Sequence, residues 1–328
     1  MELLRDTVRS YLARRPDASW GEFANALGVA GLAVPEEYGG GGCGSPEVAV
    51  VAAELGRALS PQPFLQTAVL AVQALVLDGT EAARDRLLPA LAEGAVSATL
   101  VFAGSFPDES PDEPAHDGGL RLEDGRLSGC ADHVLAGELV LVYVSGLLVE
   151  AVPTGRTSYT TLDAGRPLER LRFDRVPVRV TGGAAHMARV RDAGIRALAA
   201  EQYGGAARCL EEAVGHAKRR RQFGRPIGAF QAIKHKLADV LLMVESAGSA
   251  AFAQTCSAED AAVAGAYCSQ AYLSAAGENI QVHGGIGITW EHDAHRYFKR
   301  ATSDARLFRT PESHRRFLAS RIFEPTSP

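Results

Sequence analysis

The chain has 328 residues, 46% of them apolar and 22% charged; this excludes general disorder and leaves room for two or three domains of ~100–200 residues each. A formal net charge of −5 argues against a protein that binds polyanions over its whole surface. The five cysteines, Cys43, Cys130, Cys209, Cys256 and Cys268, are scattered without CxxC spacing, which points to free thiols in a reduced, cytoplasmic setting rather than a disulfide scaffold. The start, Met1-Glu2-Leu3-Leu4-Arg5-Asp6, mixes acids in at once and lacks a secretory pattern. The most apolar run, Leu139 to Val149 between Glu138 and Glu150, is about half the ~20 residues that a membrane span needs.

Along the chain, residues 1–95 read as helical. Ser19 and Glu22 fit a capping box ahead of Phe23 and Leu27. Gly39-Gly40-Gly41-Gly42 marks a turn that no helix runs through. Ser45 and Pro46 then fit an N-cap and first helical residue for the run Val48 to Leu59, and further helices are expected over Pro63–Leu77 and Glu81–Leu91. Residues 96–183 change period. Ser97–Phe102, Arg126–Ala131, Leu139–Val144, Leu147–Val152 and Arg170–Val176 read as strands, with Asp124-Gly125 as a hairpin turn. The Pro- and acid-rich stretch Phe106–Gly119 reads as a solvated loop. This middle region predicts a small β-barrel or sandwich.

Residues 184–328 return to helices, expected at about 190–220, 228–256, 259–283 and 291–307, with Thr310-Pro311 opening a last short one. Ile233, Leu237, Val240, Leu241 and Val244 recur on one face, as a four-helix bundle requires. The predicted fold class is therefore α+β, mostly α: an N-terminal helical domain (1–95), a short middle β-domain (96–183) and a C-terminal four-helix-bundle domain (184–328).

Two polar stretches stand out. Lys218-Arg219-Arg220-Arg221-Gln222-Phe223-Gly224-Arg225-Pro226 reads either as a basic helix C-terminus, favourable against the macrodipole, or as an anion site built from guanidinium forks. Nucleic acid is the weaker ligand here, because the basic patch is short and the chain is acidic. Gln281-Val282-His283-Gly284-Gly285-Ile286-Gly287-Ile288-Thr289-Trp290-Glu291-His292-Asp293 ends a helix at glycines, which suits a plain C-cap or a backbone that admits a ligand closely. His292 and His295 lack an HExxH arrangement, so no metal site is expected.

Together, Arg220 to Ile227, Phe230 to Asp239 and Gln281 to Asp293 resemble the C-terminal domain of acyl-CoA dehydrogenases, while Leu27-Gly28-Val29 and Val34-Pro35-Glu36-Glu37-Tyr38-Gly39-Gly40 look like that family's N-terminal helical signature. The resemblance covers nearly the whole chain and is weakest in the middle. It implies an FAD-dependent oxidoreductase acting on the CH–CH bond of an acyl-CoA thioester. It also implies adenylate-side cofactor contacts from Arg220, Gln222, Phe223, Gln231, Gln281, Gly284 and Gly285 across a subunit interface.

Several positions depart from the family. The strand Ala98–Phe102 runs into Ala103-Gly104-Ser105-Phe106-Pro107, without the family's Thr-Glu-Pro-Gly-like loop, and His133-Val134-Leu135-Ala136-Gly137 offers no side-chain donor for a flavin edge after His133. At the two positions where family members place the catalytic glutamate, this chain has Arg309 and Gly194. The nearest carboxylates, Glu201 and Glu312, read as a helix-face and a first-turn charge. No catalytic residue is thus assigned to this chain.

The pattern implies half an enzyme: the short subunit of an α2β2 complex whose full-length partner subunit supplies the flavin-ring contacts and the glutamate. An electron-transferring flavoprotein or similar acceptor would complete the system. By analogy with two-chain members of the family, the substrate would be a bulky or steroid side-chain acyl-CoA. The alternatives are a self-sufficient dehydrogenase with Glu201 as a displaced base, and a cofactor-free scaffold.

Overall fold

The computed structural model describes residues 1–103, 119–253 and 257–323. The expected acidic loop and the exit from the Ala98–Phe102 strand lie mostly outside these residues. The chain divides into two compact units, the first comprising residues 1–51 and 61–194, the second residues 52–60 and 195–328.

In the first unit, helix α1 (Glu2–Arg14) buries Val8 and Leu12. Helix α2 (Trp20–Leu27) begins at the expected capping box. Ser19 Oγ accepts from the Glu22 amide at 3.3 Å, and the Glu22 carboxylate accepts from the Ser19 amide at 2.8 Å. The helix stops at Gly28, whose left-handed φ of 65° closes the last turn. In the glycine run, a Cβ on Gly40 would lie 2.1 Å from the Val34 carbonyl, so the chain passes there only without a side chain. Helix α3 (Ser45–Arg57) starts one residue before the expected Pro46. Residues Leu65–Ala71 wind as a π-helix into helix α4 (Val72–Asp78), and Thr80 caps helix α5 (Glu81–Ala92).

The sheet of this unit contains β1 (Ala98–Phe102), β2 (Arg121–Glu123), β3 (Arg126–Leu135), β4 (Leu139–Val144), β5 (Leu147–Ala151), β6 (Gly155–Ser158) and β7 (Leu168–Gly183). Their order is β1-β4-β5-β7-β3-β2, with β6 also on β7, and β1–β4 is a parallel pair. The 16-residue β7 serves two surfaces. Its first part pairs with β3 and β6 and its last part with β5, which curls the sheet around Leu127, Val142, Val149, Leu171 and Phe173. Asp124 and Gly125, at φ 50° and 68°, form the expected two-residue turn. Strand β1 lies at the edge of the sheet. Thr67 on the π-helix seals its start, its hydroxyl accepting from the Ala98 amide at 3.0 Å and donating to the Ala98 carbonyl at 3.1 Å.

The second unit is helical, as expected. Helix α6 (Met187–Arg219), whose first residues belong to the first unit, is followed by a small hairpin of β8 (Arg221–Gln222) and β9 (Arg225–Pro226). Then come α7 (Gln231–Ala251), α8 (Ala258–His283), α9 (Ala294–Asp304) and α10 (Pro311–Phe323). The core joins Ala206, Cys209 and Leu210 to Val240, Val244, Tyr272, Ala276, Tyr297 and Ala301. The end of α3 crosses α6 at glycines. A Cβ on Gly204 would lie 1.8 Å from the Ala53 carbonyl, and one on Gly56 would lie 1.9 Å from the Glu201 carbonyl. Among the described residues, no helix is long and apolar enough to cross a membrane.

Candidate cofactor-edge site

The two polar stretches meet at one end of the second unit. Helices α6 and α8 both end there and α7 begins there. Ala213 and Ala217 of α6 pack on Val282 of α8, with Ile227, Ile233 and Leu237 against them. The basic cluster is a turn rather than a simple helix end. Helix α6 stops at Arg219, and Arg221 and Gln222 then pair with Pro226 and Arg225. The Ile227 amide donates to the Arg220 carbonyl at 2.8 Å, pinning the hairpin's base.

The hairpin presents its apices outward. Phe223 is 90% exposed with φ 50°, and Gly224 follows at φ 78°. A bulky residue in the left-handed region is a costly conformation, of a kind found at functional turns. Phe230 meets the Phe223 ring edge-on at 6.2 Å, and the Arg225 guanidinium lies over Phe230 at 4.2 Å, a cation–π contact worth about 0.5–1 kcal/mol.

All seven predicted cofactor positions fall on this end of the unit. Arg220, Gln222 and Phe223 belong to the hairpin, Gln231 opens α7, Gln281 lies in the last turn of α8, and Gly284 and Gly285 follow it. All are exposed. The side chains of Arg220, Gln222, Gln231 and Gln281 have no hydrogen-bond partner among the described residues. A Cβ at Gly284 or Gly285 would meet nothing within 4 Å, so the backbone there faces open space. An unpaired guanidinium, three free amides, an uncovered phenyl face and an accessible backbone make up a donor set that fits a dinucleotide with its pyrophosphate.

One group of residues was missed by the sequence reading. His216, His283 and His292 lie ring against ring in series, with centroids 4.2 Å apart at each step and planes tilted by 43° and 45°. His216 stands one helical turn before Arg220, whose amide donates to the His216 carbonyl at 2.8 Å as α6 ends, and that spacing was visible in the sequence. Burial, then the neighbouring His283 and Arg220, hold His216 below the ordinary imidazole value; burial does the same for His283, against the pull of the Asn279 carbonyl.

The carboxylates near the family's base positions are engaged elsewhere. Glu201 is buried and accepts from Arg300 Nη1 at 2.8 Å, with the Arg300 side chain 2% exposed. Glu312 sits in the first turn of α10, exposed, 3.5 Å from Arg315. Arg309 is buried with its guanidinium 5.0 Å above Phe317. Gly194 is an interior residue of α6.

In the first unit, His133 stands on a register shift of β3 with φ 55° and stacks on Tyr159 at 4.9 Å. Tyr159 and Arg170 both donate to Asp132 and hold its carboxyl below the usual range, Arg170 most strongly. The backbone that follows is occupied by its own chain. Gln66 donates to the Ala136 carbonyl at 3.0 Å, and Arg156 donates to the Gly137 carbonyl at 2.7 Å. No group of three or more His, Cys, Asp or Glu able to hold a metal occurs among the described residues.

Comparison with known proteins agrees with this architecture. Residues 2–95 match the acyl-CoA dehydrogenase N-terminal domain, and residues 194–323 match the acyl-CoA dehydrogenase C-terminal domain. Acyl-CoA dehydrogenase IpdE2 of Mycobacterium tuberculosis is 35% identical over 98% of this chain and 97% of its own length. Among solved structures, the Tcur3481–Tcur3483 steroid acyl-CoA dehydrogenase G363A variant is similar with a TM-score of 0.84 and 27% identity, covering 98% of this chain and 97% of that one. The ChsE4–ChsE5 complex from Mycobacterium tuberculosis is similar with a TM-score of 0.85 and 25% identity, covering 99% and 98%. With both terminal domains matched and a relative aligned from end to end, the chain belongs to the acyl-CoA dehydrogenase family.

Proposed function

We propose that this chain is the short subunit of a heteromeric acyl-CoA dehydrogenase, contributing the adenylate-side contacts to FAD. The observation that carries this reading is the exposed, unpartnered set at the end of the second unit, combined with the absence of a carboxylate at either base position. Arg220 would grip the pyrophosphate, Phe223 would cover the adenosine, and Gln222, Gln231, Gln281 and the Gly284-Gly285 backbone would supply hydrogen bonds. Bound FAD would supply the hydride acceptor for α,β-dehydrogenation of an acyl-CoA thioester. A full-length partner subunit would hold the flavin ring and carry the glutamate that takes the α-proton.

The likeness to a steroid acyl-CoA dehydrogenase and to a two-protein complex supports a heteromeric assembly and a bulky, steroid-type acyl-CoA substrate. An electron-transferring flavoprotein or similar acceptor would take the electrons onward. Glu201 as a displaced base is disfavoured by its buried pairing with Arg300, whose guanidinium offsets its charge and fixes its direction.

The test is Arg220→Ala in the co-expressed complex. Flavin content should fall while both chains still copurify. Full flavin content in the variant would count against the clamp.

A further inference from the structure

The three imidazoles come from two stretches, His216 from the end of α6 and His283 and His292 from the glycine-rich segment, and the neighbouring hydrogen bonds give two of them opposite proton placements. His283, the last residue of α8, has Nδ1 2.8 Å from the Asn279 carbonyl. A carbonyl only accepts, so Nδ1 carries a proton and, in the neutral ring, Nε2 is bare. His292 reverses this: its Nδ1 accepts from the Ala294 amide at 3.1 Å, holding the first turn of α9. A proton added at His292 Nδ1 removes that acceptor. It would also place positive charge at a helix N-terminus, where the macrodipole opposes it.

A proton added to His216 or His283 creates a cation stacked against another imidazole and facing Arg219 and, for His216, Arg220. The carboxylate facing His283 is Glu212, already engaged by Arg208 at 2.9 Å and by the Asn279 amide at 3.2 Å. From α7 and the turn before it, Ile227, Ile233 and Leu237 pack on Ala213, Ala217 and Val282, the last two adjoining His216 and His283 in the chain, and Lys236 of α7 is paired with Glu278 of α8 at 2.8 Å. The surroundings of His216 and His283 thus accept neutral rings and resist charged ones.

We propose that the His216–His283–His292 stack is a pH-dependent fastening that holds the 284–293 turn onto the ends of α6 and α8 when neutral and releases it when protonated. The turn carries Gly284 and Gly285, so release would also weaken grip on the cofactor; that consequence rests on the function proposed above, whereas the fastening does not. The sign follows from the depressed folded-state values of His216 and His283. The stabilisation is complete above the ordinary histidine value of about 6.5 and is lost as pH falls below it toward the folded value.

The experiment is hydrogen exchange by mass spectrometry at about pH 7.5 and about pH 5.5 on either side of that value, corrected for intrinsic exchange, on the full chain and on His283→Phe. Phenylalanine keeps a ring in the middle of the stack and takes no proton. In the wild type, protection of a peptide covering residues 281–293 should fall by roughly tenfold or more, the scale set by one proton taken up over part of that range. Protection over 261–276 should hold, and His283→Phe, which leaves only His216 and His292 to take up a proton, should show a smaller acid-dependent loss over 281–293. Unchanged wild-type protection, or an equal loss in His283→Phe, would overturn the proposal.

Should His283→Phe fail to fold, NMR titration of the wild-type imidazoles decides. Coupled titrations of His216 and His283 below the ordinary value support the fastening, and independent titrations at that value refute it. In the assembled complex, FAD release that follows the exchange data places the cofactor at this turn. Exchange that changes while FAD retention stays flat keeps the fastening and removes the cofactor assignment.

Discussion

Replacing Glu201 separates a structural ion pair from a displaced catalytic base. The Glu201 carboxylate lies 2.8 Å from Arg300 Nη1, and the two side chains are 9% and 2% exposed. Glu201→Ala removes one charge partner of the buried Arg300 guanidinium, and breaking a buried pair in this way costs about 3–5 kcal/mol. For a unit of roughly 150 residues, the size of the one that holds this pair, each kcal/mol moves the thermal midpoint by about 2–4 °C, so a fall of roughly 6–20 °C is expected. Glu201→Gln retains an acceptor for Arg300 and should cost clearly less. The double variant Glu201→Leu/Arg300→Met should recover most of the loss, because a buried ion pair replaced by apolar groups of similar volume is often neutral or stabilising.

The assay is thermal or urea unfolding of each variant, followed by dehydrogenase activity of the assembled complex with Glu201→Gln. A general base contributes about 10²–10⁴-fold, whereas a structural pair leaves turnover within a few-fold once the protein is folded. A Glu201→Gln complex with normal stability and a thousandfold loss of turnover would refute the structural assignment and restore Glu201 as the base.

Other consequences follow from single close contacts. Gly204→Ala should destabilise the second unit by about 1–3 kcal/mol or more, because its Cβ would sit 1.8 Å from the Ala53 carbonyl and the backbones must separate; a urea midpoint equal to wild type would contradict the crossing. Asp132 has a depressed carboxyl through Arg170 and Tyr159, so its contribution is present above the unfolded carboxylate value of about 3.9 and is lost as pH falls below it. The stability difference between wild type and Asp132→Asn should therefore shrink between about pH 5 and about pH 3, and a constant difference across that window would refute the coupling.

Local chemistry made much of the fold legible before any coordinates. Ser19 with Glu22, Asp124-Gly125 and Thr310-Pro311 each satisfy their own backbone within a few residues, and each appears where expected. The π-wound segment Leu65–Ala71 was less legible, because Pro63–Leu77 reads as one apolar helix by period alone. Strand β6 (Gly155–Ser158), short and mostly exposed, carries no alternation to detect; it exists because β7 offers it a partner. The β8–β9 hairpin was hidden inside a run of arginines that reads equally well as a helix end.

At the site, residue types were readable and their assembly was not. Arg220, Gln222 and Phe223 form a contiguous motif, while the stack of His216, His283 and His292 depends on two helix ends meeting. The Glu201–Arg300 pair joins residues 99 apart, so no local pattern shows that this carboxylate is already committed.

The most direct measurement is flavin absorbance and acyl-CoA oxidation of the purified chain alone and of the chain co-expressed with a full-length acyl-CoA dehydrogenase partner. A half-site subunit should be colourless and inactive alone, and the complex should be yellow and active. Yellow protein that oxidises acyl-CoA from the single chain would contradict the division of labour proposed for this subunit.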